Sequence, residues 1–107
     1  MTRRFKVVFD RDASADLASI RDHIREARGQ EFADQFLERI IRDCESFATV
    51  PHRGTKRDTI HPGLRTVGGR RTVTSAFEVR DNLEQVVILG VFYRGRDVLS
   101  VLQARTK

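Results

Sequence analysis

The sequence predicts an α+β fold of the order β-αα-βββ, a helical hairpin packed on a small, mainly antiparallel sheet. Three observations carry this. An apolar run of period two opens the chain, and two segments of helical apolar spacing follow, separated by a glycine. The second half then holds β-branched and aromatic runs divided by short turn signals. With 107 residues and 12.3 kDa, the chain has room for one domain, residues 1–107, with one modest core.

The elements follow in order. "RFKVVFD" places Phe5, Val7 and Phe9 on one face of a strand with one side buried. Asp12 or Ser14 can then cap a helix whose stripe is Ala13, Leu17, Ile20, Ile24 and Ala27. Gly29 is placed to end it in a left-handed conformation. From about Glu31 to Thr49 the apolar positions are Ala33, Phe36, Leu37, Ile40, Ile41, Cys44, Phe47 and Ala48. That wider face fits a helix touching both its neighbour and a sheet, and Pro51 stops it. "LRTV" before Gly68, "RRTVTSAFEV" and "EQVVILGVFY" read as a three-stranded meander, the last two runs joined by the turn "RDNL". The last run is apolar on both faces from Val86 to Tyr93, which marks an interior strand with at least one of Phe92 and Tyr93 in the core. The tail can add a helical turn or two, packing Val98, Leu99 and Leu102. Gly63, Gly68 and Gly69 read as turn residues.

Composition narrows the class. No window approaches the apolar length of a membrane span, and the charged N-terminus lacks the apolar stretch of a secretory signal. The single cysteine, Cys44, allows no intramolecular disulfide, so a reducing cytoplasm is the expected compartment. The formal charge of +5 is unevenly spread. Five acids and two bases between Glu31 and Glu45 give −3. Between Gly54 and Val73, Lys56, Arg57, Arg65, Arg70 and Arg71 against Asp58 give +4, and Arg94 to Lys107 gives +3. The positive field belongs to the second half. Its arginines can hold phosphates two-pronged, bind an acidic peptide, or serve solubility.

Other chemistry is weak. His23, beside Ile20 and Ile24, reads as a half-buried packing residue. His52, His61 and Cys44 lack a compact zinc spacing, and no metal or cofactor is expected. Cys44 reads as a small core residue. The serines, Ser14, Ser46, Ser75 and Ser100 among them, show no base and orienting partner. Asp34 and Glu38 belong to a solvated helix face.

Taken in series, "ADLASIRDHI", "FLERIIRDCESFATVPHRGTKRD", "HPGLRTV", "RRTVTSAFEV" and "VILGVFYRGRD" resemble the ParE branch of the RelE/ParE superfamily of bacterial toxins. The likeness runs over nearly the whole chain in order; each piece is short, and it is the series of them, with Pro51-x-x-Gly54-x-x-Arg57-Asp58 before Pro62-Gly63-Leu64-Arg65, that is specific. The resemblance implies a toxin of a type II toxin–antitoxin pair that poisons DNA gyrase and plays a part in plasmid stabilisation. It also implies neutralisation by a ParD-like antitoxin, a ribbon-helix-helix protein whose C-terminal segment folds along the toxin. Operator DNA would be met only through the complex, and no membrane is implied. The RelE branch instead cuts mRNA on the ribosome, with cations around the scissile phosphate and a tyrosine or a histidine–glutamate arrangement as acid and base. By that likeness Arg71 and Arg96 fall where phosphate-holding arginines lie. The acid–base position falls near Leu102, however, and no Tyr, His or Glu follows Arg96. The expected reading is therefore a toxin without a catalytic site of its own, its binding surface made of Arg65, Arg70, Arg71, Arg94 and Arg96. The alternatives are a RelE-like endoribonuclease and a non-toxic module that binds antitoxin or RNA.

Overall fold

A computed structural model describes residues 4–68, 73–94 and 97–106. The chain runs β1 (Lys6–Phe9), α1 (Arg11–Arg28), α2 (Gln30–Glu45), β2 (Thr55–Lys56), β3 (Leu64–Gly68), β4 (Val73–Arg80), β5 (Gln85–Tyr93) and α3 (Val98–Arg105). Single turns of 3-10 helix lie at Ser46–Ala48 and Asp81–Leu83. The strands form one sheet in the order β1-β5-β4-β3-β2, parallel between β1 and β5 and antiparallel elsewhere. The expected α+β fold is present, and β2 is an addition to it. Among the described residues no helix is long and apolar enough to cross a membrane.

Asp10, not Asp12 or Ser14, caps α1: its carboxylate accepts from Ala13 N at 2.8 Å. Its own amide donates to Ile88 O at 3.0 Å, so the parallel ladder fixes where the strand ends and the helix begins at the next residue. Gly29, at φ +92°, ends α1 and begins α2 in one residue, with its amide on Arg25 O and its carbonyl on Ala33 N. Ala27 is exposed, because apolar spacing marks a face without saying how far the neighbouring elements extend along it. His23 is likewise exposed rather than half-buried, its ring tilted against Tyr93 at 5.8 Å. The second helix stops at Glu45, short of Thr49. Phe47 and Ala48 remain buried through the 3-10 turn, where Phe5 N donates to Ala48 O.

The hairpin covers one face of the sheet. Ile20, Ile24, Leu37, Ile40 and Cys44 meet Phe77, Val79, Val86, Ile88 and Val91 there, with Phe47 stacked on Phe77 at 4.4 Å. A second, smaller cluster of Leu64, Ala76, Phe92 and Leu102 lies on the opposite face beneath α3. Strand β5 is apolar on both sides because both faces are covered, and one irregularity sets which residue takes which face. Ala76 pairs with Gly90 but Phe77 pairs with Ile88, so Leu89 is an extra residue, a β-bulge. Before it Val86 and Ile88 face the hairpin, and beyond it Val91 and Tyr93 do, leaving Leu89 and Phe92 for the second cluster. Within α3, Leu102 is fully buried and Val98 half-buried, but Leu99 is 39% exposed, contrary to expectation. An eight-residue helix lying on a sheet has room for one inward stripe, and Val98, Val101 and Leu102, at spacings of three and four, fill it.

Candidate functional site

Strand β2 is only two residues long, and Gly54 makes it possible. Gly54 adopts φ +83°, and a Cβ there would collide with the backbone of Thr66 and the side chain of Val67. The resulting register sets Thr55 opposite Thr66 and Lys56 opposite Arg65. Two cations face one another across the strands, an arrangement that is unfavourable in an isolated sheet. Arg65 Nη1 donates to Arg53 O at 3.4 Å, and the Arg53 guanidinium lies 5.4 Å from the Phe47 ring. Arg53, Lys56 and Arg65 thus gather at the β2–β3 edge.

Arg57 follows on the other face. Its amide donates to Leu64 O at 2.8 Å, and its Nε donates to the buried Thr66 hydroxyl at 3.1 Å. The two terminal nitrogens of that guanidinium have no hydrogen-bond partner among the described residues. Arg57 borders an open groove of about 340 Å³, lined also by Thr66, Thr74, Asp97, Val98 and Leu99. Asp97 caps α3, accepting from Ser100 N at 3.3 Å and Ser100 Oγ at 2.8 Å. Among the described residues, none of Arg53, Lys56, Arg57 and Arg65 has a carboxylate within ion-pair range. The groove offers a fixed guanidinium and two hydroxyls, with its one carboxylate engaged as a helix cap. That is equipment for holding an anionic group.

Of the five sequence-predicted arginines the described residues include two, Arg65 and Arg94, and these two stand apart. Arg65 lies opposite Phe77 on the hairpin side of the sheet, whereas Arg94 follows Tyr93, which pairs with Val73. Four residues along β4 and two strand spacings separate Arg65 from Tyr93 by roughly 16 Å, and Arg94 lies one residue beyond. Arg94 is a non-glycine residue at φ +63°, and its guanidinium sits 5.3 Å from the Tyr93 ring. That ring meets Phe36 edge-on at 5.7 Å. Arg70, Arg71 and Arg96 lie outside the described residues, as does Gly69. Of the other glycines read as turns, Gly63 has φ +82° in the approach to β3, while Gly68 is the last residue of that strand.

A model of the ParE toxin of the type II toxin–antitoxin system parDE matches residues 7–98. The chain belongs to the ParE toxin family. Among solved structures, this ParE-family chain is similar to the chromosomal ParDE toxin–antitoxin system from P. aeruginosa. The likeness has 26% identity over 87% of this chain and 99% of the other, with a TM-score of 0.72. It also shares its fold with the toxin–antitoxin complex RelBE2 from Mycobacterium tuberculosis, at 19% identity over 90% and 98% of the two chains and a TM-score of 0.64. No curated protein matches the chain. The family and its superfamily are those that the sequence motifs resemble.

Two features of this ParE-family chain escape sequence reading. Arg57 counts there in a charge total and in the family motif but not among the binding residues, since nothing in "TKRD" shows that its side chain crosses to Thr66. The second is a histidine–carboxylate pair: His61 Nε2 lies 3.2 Å from Glu78 Oε1, while Arg80 Nε donates to Glu78 Oε2 at 2.9 Å. His61 and Glu78 are 17 positions apart, and only the β3–β4 register, Leu64 opposite Glu78, brings them together.

Proposed function

We propose that this toxin acts on DNA gyrase and is neutralised by a ParD-like antitoxin whose acidic segment lies against the basic surface of β2, β3 and the α3 groove. The observation that carries the reading is the set of cations at Arg53, Lys56, Arg57 and Arg65 without carboxylate partners among the described residues. Such a set is unfavourable in the free chain and is relieved when an anionic partner arrives. Family membership and the ParDE relative support an antitoxin as that partner. Arg65 and Arg94 stand too far apart to grip one small group, which suits an extended partner better than a compact one. Arg70, Arg71 and Arg96 belong to the same proposal as further contacts.

Expression of the chain without antitoxin, in a cytoplasm with functional gyrase, tests this. The expected result is growth arrest with gyrase-dependent DNA breakage and intact mRNA. Specific mRNA cuts with untouched gyrase would overturn the target, and normal growth would favour a non-toxic binding module.

A second reading, mRNA cleavage, is favoured by one observation, the His61–Glu78 pair beside Arg80. A carboxylate that orients an imidazole leaves the other ring nitrogen free for proton transfer. Glu78 is four residues from Thr74, about 13 Å along the strand from that end of the groove. Cleavage of ribosome-bound mRNA that disappears in His61→Ala would establish this second reading over the first.

A further inference from the structure

The sheet is left open along half of β5. Strand β1 pairs with it only from Gln85 to Ile88, although β5 continues to Tyr93. Side chains close the gap. Asp16, in the second turn of α1, accepts from Val91 N at 2.9 Å, and Arg105, in the last turn of α3, donates to Leu89 O at 3.2 Å. The two then meet one another, Arg105 Nη1 to Asp16 Oδ2 at 2.8 Å and Nη2 to Oδ1 at 2.9 Å. This two-pronged pair joins residues 89 positions apart, and its side chains are only 22% and 17% exposed. Gly90 and the bulge make its slot: a Cβ at Gly90 would stand 2.8 Å from Arg105 Nη1.

Apart from this pair, α3 is held by a small apolar contact, Leu102 with the partly buried Val98 and Val101 against Leu64, Ala76 and Phe92. Leu102 is its one fully buried side chain among the described residues, Leu99 is exposed, and the helix is eight residues long, far below the length that is stable alone. Its other end, about 12 Å away along the helix axis, forms a wall of the groove through Asp97, Val98 and Leu99. We propose that α3 is a strap, latched to α1 by the Arg105–Asp16 pair, and that the latch sets the position of the groove wall opposite Arg57. When the strap lifts, Leu64, Ala76 and Phe92 lose their cover and the groove loses its wall. Asp16 is then a positioning residue for a groove it does not touch. The hydrogen bond that Arg105 donates to Asp16 raises the guanidinium above its ordinary value, so Arg105 keeps its proton and the latch opens by motion.

The strap concerns the groove of the proposed function, but its test uses the free chain, so either idea can fail alone. Amide hydrogen exchange is measured on the full chain and on Arg105→Gln and Asp16→Asn. In both variants the amides of α3 should exchange at least about tenfold faster, the effect of losing one charge-assisted hydrogen bond at a locally opening element. Amides of Phe77 and Val79 in β4 should keep their protection. The NMR signals of Thr66 and Thr74 should move in both variants and stay in place in Asp12→Asn, whose carboxylate is exposed and 4.0 Å from Arg105 Nε. Arg105→Lys keeps the charge without the two-pronged contact and serves where a neutral variant does not fold. Unchanged exchange in α3, equal loss of protection throughout the sheet, or unmoved Thr66 and Thr74 signals would each overturn the proposal.

Discussion

Gly90 shows how one missing side chain supports the C-terminal half. A Cβ there would stand 2.6 Å from Phe92 Cζ and 2.7 Å from its Cε2, as well as against Arg105. Gly90→Ala must therefore displace the Phe92 ring or the Arg105 guanidinium, which lie 5.1 Å apart. A loss of about 1–3 kcal/mol is expected in urea unfolding, as for other overpacked sites. Cys44 makes a different prediction. Burial pushes its thiol from 9.0 up to about 11, partly offset by the Ser75 hydroxyl at 3.6 Å. Above pH 9 the unfolded chain releases a proton that the folded chain keeps, so this residue's contribution is complete below pH 9 and is lost towards pH 11. The stability gap between wild type and Cys44→Ala should narrow by about 2–3 kcal/mol between pH 8 and pH 11. A gap that is flat with pH would contradict it.

At the scale of elements, the helix stripes and the long strands were legible because each is several periods long and has one buried face. What escaped depends on contacts between distant segments. Asp10 is the cap because β1 delivers it to Ile88 O, a fact absent from the local spacing that favours Asp12 or Ser14. Strand β2 has two residues and therefore no period at all. The same holds for the site. Charge placement pointed to the second half of the chain, but the faces that Arg57 and Arg65 take follow from the register of β2 on β3. Asp10→Ala should cost about 1 kcal/mol of stability, whereas Asp12→Ala should cost much less, since only Asp10 accepts the Ala13 amide. Gly29→Ala separates space from conformation. Nothing lies within 4 Å of a Cβ there, yet φ is +92°, so a loss of about 1 kcal/mol in thermal or urea unfolding would come from the backbone alone.

Over the whole molecule, charge is unevenly spread. Helix α2 carries Glu31, Asp34, Glu38, Asp43 and Glu45 against Arg39 and Arg42, while the far edge of the sheet carries Arg53, Lys56, Arg57 and Arg65. Separation of this kind steers a charged partner towards one side and sets the rate of encounter more than the strength of the final contacts. It also makes stability and binding respond in opposite directions. Lys56→Glu removes a like-charge pair with Arg65 and creates an opposite-charge one across the same two strands. The free variant should be as stable as wild type, or more stable by up to about 1 kcal/mol. Association with an acidic antitoxin should nonetheless slow about tenfold at low salt, with the difference shrinking as ionic strength rises and the Debye length falls below about 10 Å. Stopped-flow association at several salt concentrations, beside thermal unfolding of the free chain, reads both quantities. Slower binding with a lower melting temperature would mean that Lys56 supports the fold of β2. Slower binding with an unchanged or higher one assigns the β2–β3 edge to the partner.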